Sequence, residues 1–366
     1  MNFQKVASKR GYIIDRKTVL EFAIRNKELI SEFQRAAFEL IVKKIIQSDK
    51  KTHIVSTPSL FRWNGEQVEG FDDDIIKMLN PKKILIIIDN VLNVRQRIIN
   101  DPDWFPRFDR DENKVRITKL AEWREEAIRY IENIITKLSK NIESFSLEYI
   151  LQFSRNHPSE TFIDILFNDS RKKRVYLSYP MTGFESKKDV FKRTRNFARA
   201  LSRYFIVLDP GTIDDWRIVN EYDNQIEKNS NAQVIKIDFH DPKQGENQIV
   251  LNRDDIENAT NILRKQIVKR DFNMVFNSHA IVVYHHSPNV SAGVMSEIAY
   301  AYRWGKPIYI YYPFSKRPSP FIEYFAQNNP SHISLFKDEK ELLNILIKDY
   351  KHWEAFSGMP IHLLTP

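Results

Sequence analysis

The stretch Ala280-Ile-Val-Val-Tyr284, followed after a short polar segment by Ser291-Ala-Gly-Val-Met-Ser-Glu297, decides the fold. A five-residue apolar run rich in β-branched residues reads as a strand buried on both faces, as in parallel sheets. The small residues after it lead into a helical pattern from Ile298 to Trp304. This succession puts Glu297 at the carboxyl edge of a parallel sheet, where open α/β folds bind their ligands. Gly293 would let the backbone approach a ligand closely. Glu297 is expected in the first helical turn, where the helix dipole favours its ionised form. A carboxylate held this way suits attack on a sugar anomeric carbon; the bland alternative is a loop with a solvated Glu.

Outward from this stretch, the second half alternates strands and helices. It starts with the strand Val175-Tyr-Leu-Ser178 and the turn-rich Tyr179-Pro-Met-Thr-Gly183. A helix from Lys188 to Tyr204 and a strand, Phe205-Ile-Val-Leu-Asp209, follow. Residues 211–255 read as a polar excursion with one strand-like piece from Gln233 to Asp238. A helix ending at Phe276, the strand Ala280 to Tyr284, a helix from Gly293 to Trp304 and a strand from Pro307 to Tyr312 come next. A short strand from His332 to Phe336 and a helix from Glu339 to Tyr350 complete the series. Such alternation predicts a parallel sheet with right-handed crossovers.

The first half reads as helices around a few strands. Apolar spacing predicts helix between Lys17 and Gln47, from Asp72 to Leu79 and from Ile117 to Leu138. His53-Ile-Val-Ser56 is a candidate strand, and Lys83-Ile-Leu-Ile-Ile-Ile88 a strand buried on both faces. The pattern weakens from Ile142 to His157, and 168–174 looks like a linker between two domains, 1–168 and 169–366.

Composition narrows the function classes. With no cysteine, the chain can form neither disulfides nor thiolate sites, which fits a reducing compartment; a cytoplasmic location is the expectation. No apolar run approaches the roughly 18 residues a membrane span needs, so no membrane partner is expected. The net charge of +8 raises nucleic-acid binding, but the basic residues are scattered and interleaved with acidic patches such as Asp72-Asp-Asp74. A basic surface attracting phosphorylated small molecules accounts for the charge as well. His285-His286 suggests a metal, yet adjacent strand residues point to opposite faces, so no metal and no cofactor are expected.

Val175-Tyr-Leu-Ser-Tyr-Pro-Met-Thr-Gly183, Arg270-Asp271 ahead of a strand, and Ser291-x-Gly-Val-x-x-Glu297-Ile-x-Tyr-Ala-x-x-x-Gly305-Lys-Pro307 together resemble the nucleoside 2-deoxyribosyltransferase superfamily. That superfamily includes the 2′-deoxynucleoside 5′-monophosphate N-hydrolases. The resemblance covers roughly Arg174 to Tyr350, the insertion at 211–255 excepted. It implies a flavodoxin-like, doubly wound α/β fold with a five-stranded parallel sheet. It also implies that Glu297 attacks C1′ to form a glycosyl ester, that Asp271 assists protonation of the leaving base, and that the Tyr176 hydroxyl holds the nucleophile. Taken alone, Tyr176 would read as a core aromatic and Asp271 as a surface ion pair with Lys269 or Arg270. Ser178, Pro180, Met181, Thr182, Gly183, Ser291, Gly293 and Ser296 are the implied substrate-binding residues. Ser291 stands where transferases carry Asp and monophosphate hydrolases carry Ser, which favours a 5′-phosphorylated substrate. Pro180 and Thr182 depart from the serine and arginine those hydrolases use; Thr182, Ser296 or Arg303 would substitute. Relatives form dimers or higher oligomers, which implies a homo-oligomer.

His53 to Pro58, Gly70-Phe-Asp, Leu79 to Ile88 and Val94-Arg-Gln-Arg97 resemble archaeal-type adenylate kinases and related P-loop kinases over about Asn2 to Leu138. The phosphate-cradling Gly-x-x-x-x-Gly-Lys-Ser/Thr loop of that family is absent here. The first half is therefore expected to be an incomplete kinase-like domain, with Arg95 and Arg97 at lid-side positions or on a solvated helix face. The expected function is an N-glycosidase acting on a deoxynucleoside 5′-monophosphate or deoxynucleoside. The alternatives are a deoxyribosyltransferase and a non-catalytic nucleotide sensor.

Overall fold

The short β-branched runs of the second half assemble side by side, as their patterning requires. The structure is a computed structural model and describes residues 2–14, 19–63, 66–141, 147–169, 171–181, 188–241, 245–289, 291–327 and 335–353. In chain order the strands are β1 (Leu60–Trp63), β2 (Glu66–Glu69), β3 (Lys83–Ile88), β4 (Tyr149–Ser154), β5 (Arg174–Ser178), β6 (Ile206–Leu208), β7 (Val234–Asp241), β8 (Gly245–Asn252), β9 (Ala280–Tyr284), β10 (Ile308–Tyr311) and β11 (Leu335–Phe336). Five of them form one parallel sheet in the order β11-β10-β9-β5-β6. Numbered by chain position within the sheet, that order is 2-1-3-4-5, the order of flavodoxin-like sheets. The switch point falls between β5 and β9, where Ser178 lies opposite Val283.

Alternation along each strand divides the core into two layers. Tyr176, Ile281, Val283, Ile308 and Ile310 face helices Arg253–Asn277, Ala292–Arg303 and Pro320–Gln327. Val175, Leu177, Ala280, Val282 and Tyr309 face helices Lys188–Ser202 and Glu339–Asp349. A parallel sheet must be covered on both faces, and this one is.

The first half holds a second, two-stranded parallel sheet, β3 beside β4. Leu151 and Phe153 of β4, together with Ile165, join the same apolar cluster as Tyr176, Ile206 and Met274. The core thus runs across the 168–174 segment. The insertion carries a helix, Asp215–Lys228, and the β7–β8 hairpin. Its Ile218, Val219, Ile235, Ile237 and Leu251 pack on helices Val91–Asn100 and Ile117–Asn141 of the first half.

Several elements differ from expectation for identifiable reasons. The 53–56 segment joins no sheet; Val55 packs on the core of the first half while Ile54 is exposed, so only one side of it is covered. β4 falls where the apolar pattern fails, because it buries polar residues that find partners inside. The Gln152 N–H donates to Asn273 Oδ1 at 3.0 Å, and Ser154 Oγ donates to the Thr212 carbonyl at 3.0 Å. β3 is not covered on both faces, since Ile87 is half exposed. The single helical stretch expected across Lys17 to Gln47 is broken at Asn26, whose φ of −134° separates Val19–Arg25 from Lys27–Ile46. The polar excursion is ordered secondary structure around buried Ile and Val. Among the described residues no helix is long and apolar enough to cross a membrane.

Candidate active site

Tyr176 and Ser178 lie two apart on β5, so both side chains project to the same face of the sheet, at its carboxyl edge. Helix Ala292–Arg303 covers that edge and lowers Glu297 onto them. Tyr176 Oη donates to Glu297 Oε1 at 2.8 Å, and Ser178 Oγ donates to Oε2. Each carboxylate oxygen therefore has a hydroxyl donor, and all three residues are buried. Asp271, from the last third of helix Arg253–Asn277, is buried beside them, with Arg270 Nε donating to its Oδ1 at 3.0 Å. The expected surface ion pair of Asp271 is thus a buried one, and Lys269 instead points to Glu125.

Glu297 corrects one expectation. The helix begins five residues earlier, at Ala292, capped by Ser291, whose Oγ accepts from the Val294 N–H at 3.5 Å. Glu297 sits in the second turn, beyond the reach of the dipole at the helix start. Its environment works in the opposite direction. Burial, and next the charge of Asp271, raise its pKa to about 8, despite the opposing hydrogen bonds from Ser178 and Tyr176. Burial also raises Asp271; Arg270 opposes this, while Asp215 and Asp209 add to it. The two carboxyls interact, so they hold protons as a pair. Burial and the two carboxylates also push the Tyr176 phenol well above its ordinary value, which keeps it a donor.

Two further groups support this pair. Asp215, from the insertion, is buried between Arg124 Nη2 at 2.8 Å and Arg270 Nη1 at 3.8 Å. An ion chain Arg124–Asp215–Arg270–Asp271 thus runs from the first half to the site. Next to it, Asp209 at the end of β6 accepts from Tyr179 Oη at 2.7 Å and from Arg195. A Cβ on Gly211 would lie 2.1 Å from Tyr179 Oη and 2.8 Å from Arg195 Nη2, so a larger residue there would push these two side chains off Asp209. His157 Nε2 accepts from the Asp209 N–H at 3.2 Å, and burial holds its pKa down to about 4, so the ring is a neutral acceptor.

Other expected site residues are placed less centrally. Pro180 is buried, and its carbonyl accepts from His286 Nε2 at 2.7 Å. Met181 packs on the layer opposite Glu297. Thr182 and Gly183 lie outside the described residues. Gly293 is exposed; a Cβ there meets only Ser291 Oγ, at 3.8 Å. Ser296 is exposed and donates to the Ala292 carbonyl at 2.9 Å. Arg303 is exposed at the far end of the helix, roughly 18 Å from Ser291 at 1.5 Å per residue, too far to share a phosphate with it.

In the first half, neither Arg95 nor Arg97 occupies a lid-like or freely solvated position. Arg95 is buried and donates to the carbonyls of Val115 at 3.2 Å and Glu112 at 3.0 Å. Arg97 pairs with Asp89 at the end of β3.

Asp209 ended an apolar run in the sequence, which marks a strand edge; Asp215 gave no such signal, lying in the polar insertion. Among the described residues no group of three or more His, Asp and Glu side chains is arranged to hold a metal. No protein-family model, curated protein or solved structure matches this chain.

Proposed function

We propose that the chain is an N-glycosidase that cleaves the base–deoxyribose bond of a deoxynucleoside 5′-monophosphate or deoxynucleoside. The observation that carries this reading is the paired grip of Tyr176 and Ser178 on both oxygens of Glu297, beside a second buried carboxyl, at the switch point of a parallel sheet. Two interacting carboxyls whose proton affinities are both raised suit a reaction that needs one charged and one protonated.

In the proposed reaction, a Glu297 oxygen attacks C1′ as the C1′–N bond breaks. The bonding pair leaves with the base, which takes the proton held by Asp271. The carboxylate of Asp271 then accepts a proton from water as its oxygen attacks C1′, freeing Glu297 and releasing the deoxyribose or its 5-phosphate. A second nucleobase in place of water would make the same site a deoxyribosyltransferase. Ser291, capping a helix start at the same edge, is the residue we assign to the 5′-phosphate. The first half acts as a scaffold in this reading, since its helices share a core with the insertion that carries Asp215.

The test is chromatographic: deoxynucleosides, their 5′-monophosphates and the matching ribonucleotides are incubated with the protein, with and without an acceptor base. Base release from monophosphates alone identifies the hydrolase, and exchange only with acceptor identifies the transferase. Release from no substrate, or full turnover by Glu297→Ala, sinks the proposal and leaves the nucleotide-sensor alternative.

A further inference from the structure

The ladders from β9 to β10 and from β10 to β11 each continue one residue past the strand. The His285 N–H donates to the Tyr311 carbonyl at 3.0 Å, and the Tyr312 N–H donates to the Phe336 carbonyl at 2.8 Å. Alternation therefore persists, and His285 and Tyr312 project to the same face as Val283, Ile310 and Glu297. They are neighbours there, with ring centroids 5.5 Å apart and planes at 72°. His285 is 1% exposed and Tyr312 4%.

No hydrogen bond of good geometry reaches either ring nitrogen of His285 or the hydroxyl of Tyr312 among the described residues, although the Ser287 backbone lies close enough to His285 to oppose the lowering of its pKa. Buried polar groups are almost always partnered, because leaving one unpaired forfeits its hydration for nothing. Two adjacent exceptions at the carboxyl edge of a parallel sheet, on the face that holds the nucleophile, point to a ligand.

We propose that His285 and Tyr312 form the base-recognising edge of the Glu297 site, each meeting the hydrogen-bonding edge of a nucleobase joined to C1′. This rests on the N-glycosidase reading above. Placement fits: Val283 lies opposite Ser178, which holds Glu297, and His285 is two residues further along, about 7 Å at strand rise. In this proposal the base extends from C1′ along that direction. The partly exposed Met295 and Phe314 pack on the same cluster and supply apolar surface for its face.

Chemistry favours a base over a phosphate. Burial and the neighbouring His286 keep the His285 imidazole neutral down to about pH 4, so it presents one donor and one acceptor. The phenol likewise gives and accepts. A doubly charged phosphate takes only donors, whereas the Watson–Crick edge of every nucleobase carries both kinds of group.

The test compares wild type, Tyr312→Phe and His285→Gln for kcat/KM of base release across the four deoxynucleoside 5′-monophosphates, with the melting temperature of each. Tyr312→Phe removes one atom that has no partner, so it is expected to melt no lower than wild type. It should lose at least about tenfold in kcat/KM on the preferred base and less on the others. His285→Gln should also change the order of preference. A drop of several degrees in Tyr312→Phe would show that the hydroxyl has a structural partner and overturn the proposal. So would unchanged ratios among the four substrates in both variants. If wild type releases base and only these ratios fail to move, the N-glycosidase reading survives; if wild type releases none, both fall.

Discussion

Asp89 and Glu297 are both carboxylates at the carboxyl edge of a parallel sheet, and both are buried, yet their surroundings differ in kind. Asp89, after β3, pairs with Arg97, with Arg155 Nη1 at 3.4 Å, with Asn93 at 2.9 Å and with Asn156 at 3.2 Å. Burial acts to raise its pKa, but hydrogen bonds from Asn93 and Arg97 and the charge of Arg97 prevail, and the net direction is down. Glu297 receives only neutral hydroxyls and lies near a second carboxyl, and its pKa goes up. Equal burial therefore does not give equal reactivity. A buried carboxylate paired directly with cations stays charged, and one held by neutral hydroxyls beside a second carboxyl binds its proton more tightly.

Glu297→Gln should break this contrast most severely. It removes the nucleophile without changing its shape, and base release should fall at least about a thousandfold. The same variant tests the electrostatics. A raised pKa means that the folded state binds the proton more tightly; its contribution is complete below about 4.5 and lost as pH rises towards 8. Glu297→Gln should therefore gain melting temperature relative to wild type between pH 5 and pH 9. Parallel melting curves at the two ends of that range would reject the assignment.

Asp271→Asn should rank second, with about 10²–10⁴-fold slower base release through loss of the acid. Wild type is expected to show a bell-shaped pH profile whose alkaline limb, near pH 8, marks loss of the last proton shared by the pair. In Asp271→Asn that limb should vanish. A single rising limb should remain below pH 8, because the charge that raised Glu297 is gone. Retention of the alkaline limb in kcat/KM would assign the acid to another residue.

Tyr176→Phe sharpens the comparison on a smaller scale. Hydrogen bonds to a charged group are worth roughly 1.5–3 kcal/mol, so a loss of about tenfold or more is expected, and the acid limb should move to higher pH. An unchanged profile would mean that the hydroxyl does not bear on Glu297. Asp89→Asn should affect base release least, within about twofold. It should instead lower stability by about 1–3 kcal/mol, measured by urea unfolding at pH 7. The contribution of Asp89 is present above its ordinary value of 3.8 and is lost as pH falls through the depressed folded value. The difference between Asp89→Asn and wild type should shrink in acid.

Most of the candidate site was legible in the sequence because its residues follow strands by short, patterned intervals. Tyr176 and Ser178 lie on one apolar run, and Glu297 follows another. The geometry of Glu297 was not legible: the helix starts at a serine cap that small residues obscure, so turn number and proton affinity both came out differently. β4 is hidden because Gln152 and Ser154 interrupt its apolar run, while the groups that hold this strand, Asn273 Oδ1 on the Gln152 backbone N–H and the Thr212 carbonyl on the Ser154 hydroxyl, are over fifty residues away. Asp215 was missed for the same reason, since nothing local announces a buried charge whose counterions are Arg124 and Arg270. Long-range pairing of polar groups leaves no periodic trace.

That ion chain has a consequence for how the molecule can be taken apart. A second half beginning at 169 would lack Arg124, leaving Asp215 to face Arg270 alone and shifting the balance at Asp271. The same cut would bare the apolar surface that Leu151, Phe153 and Ile165 now cover. Transplanting this site onto another scaffold would thus require carrying a helix from a hundred and more residues upstream, because Asp215, which adds to the effect of burial on Asp271, is itself held by Arg124.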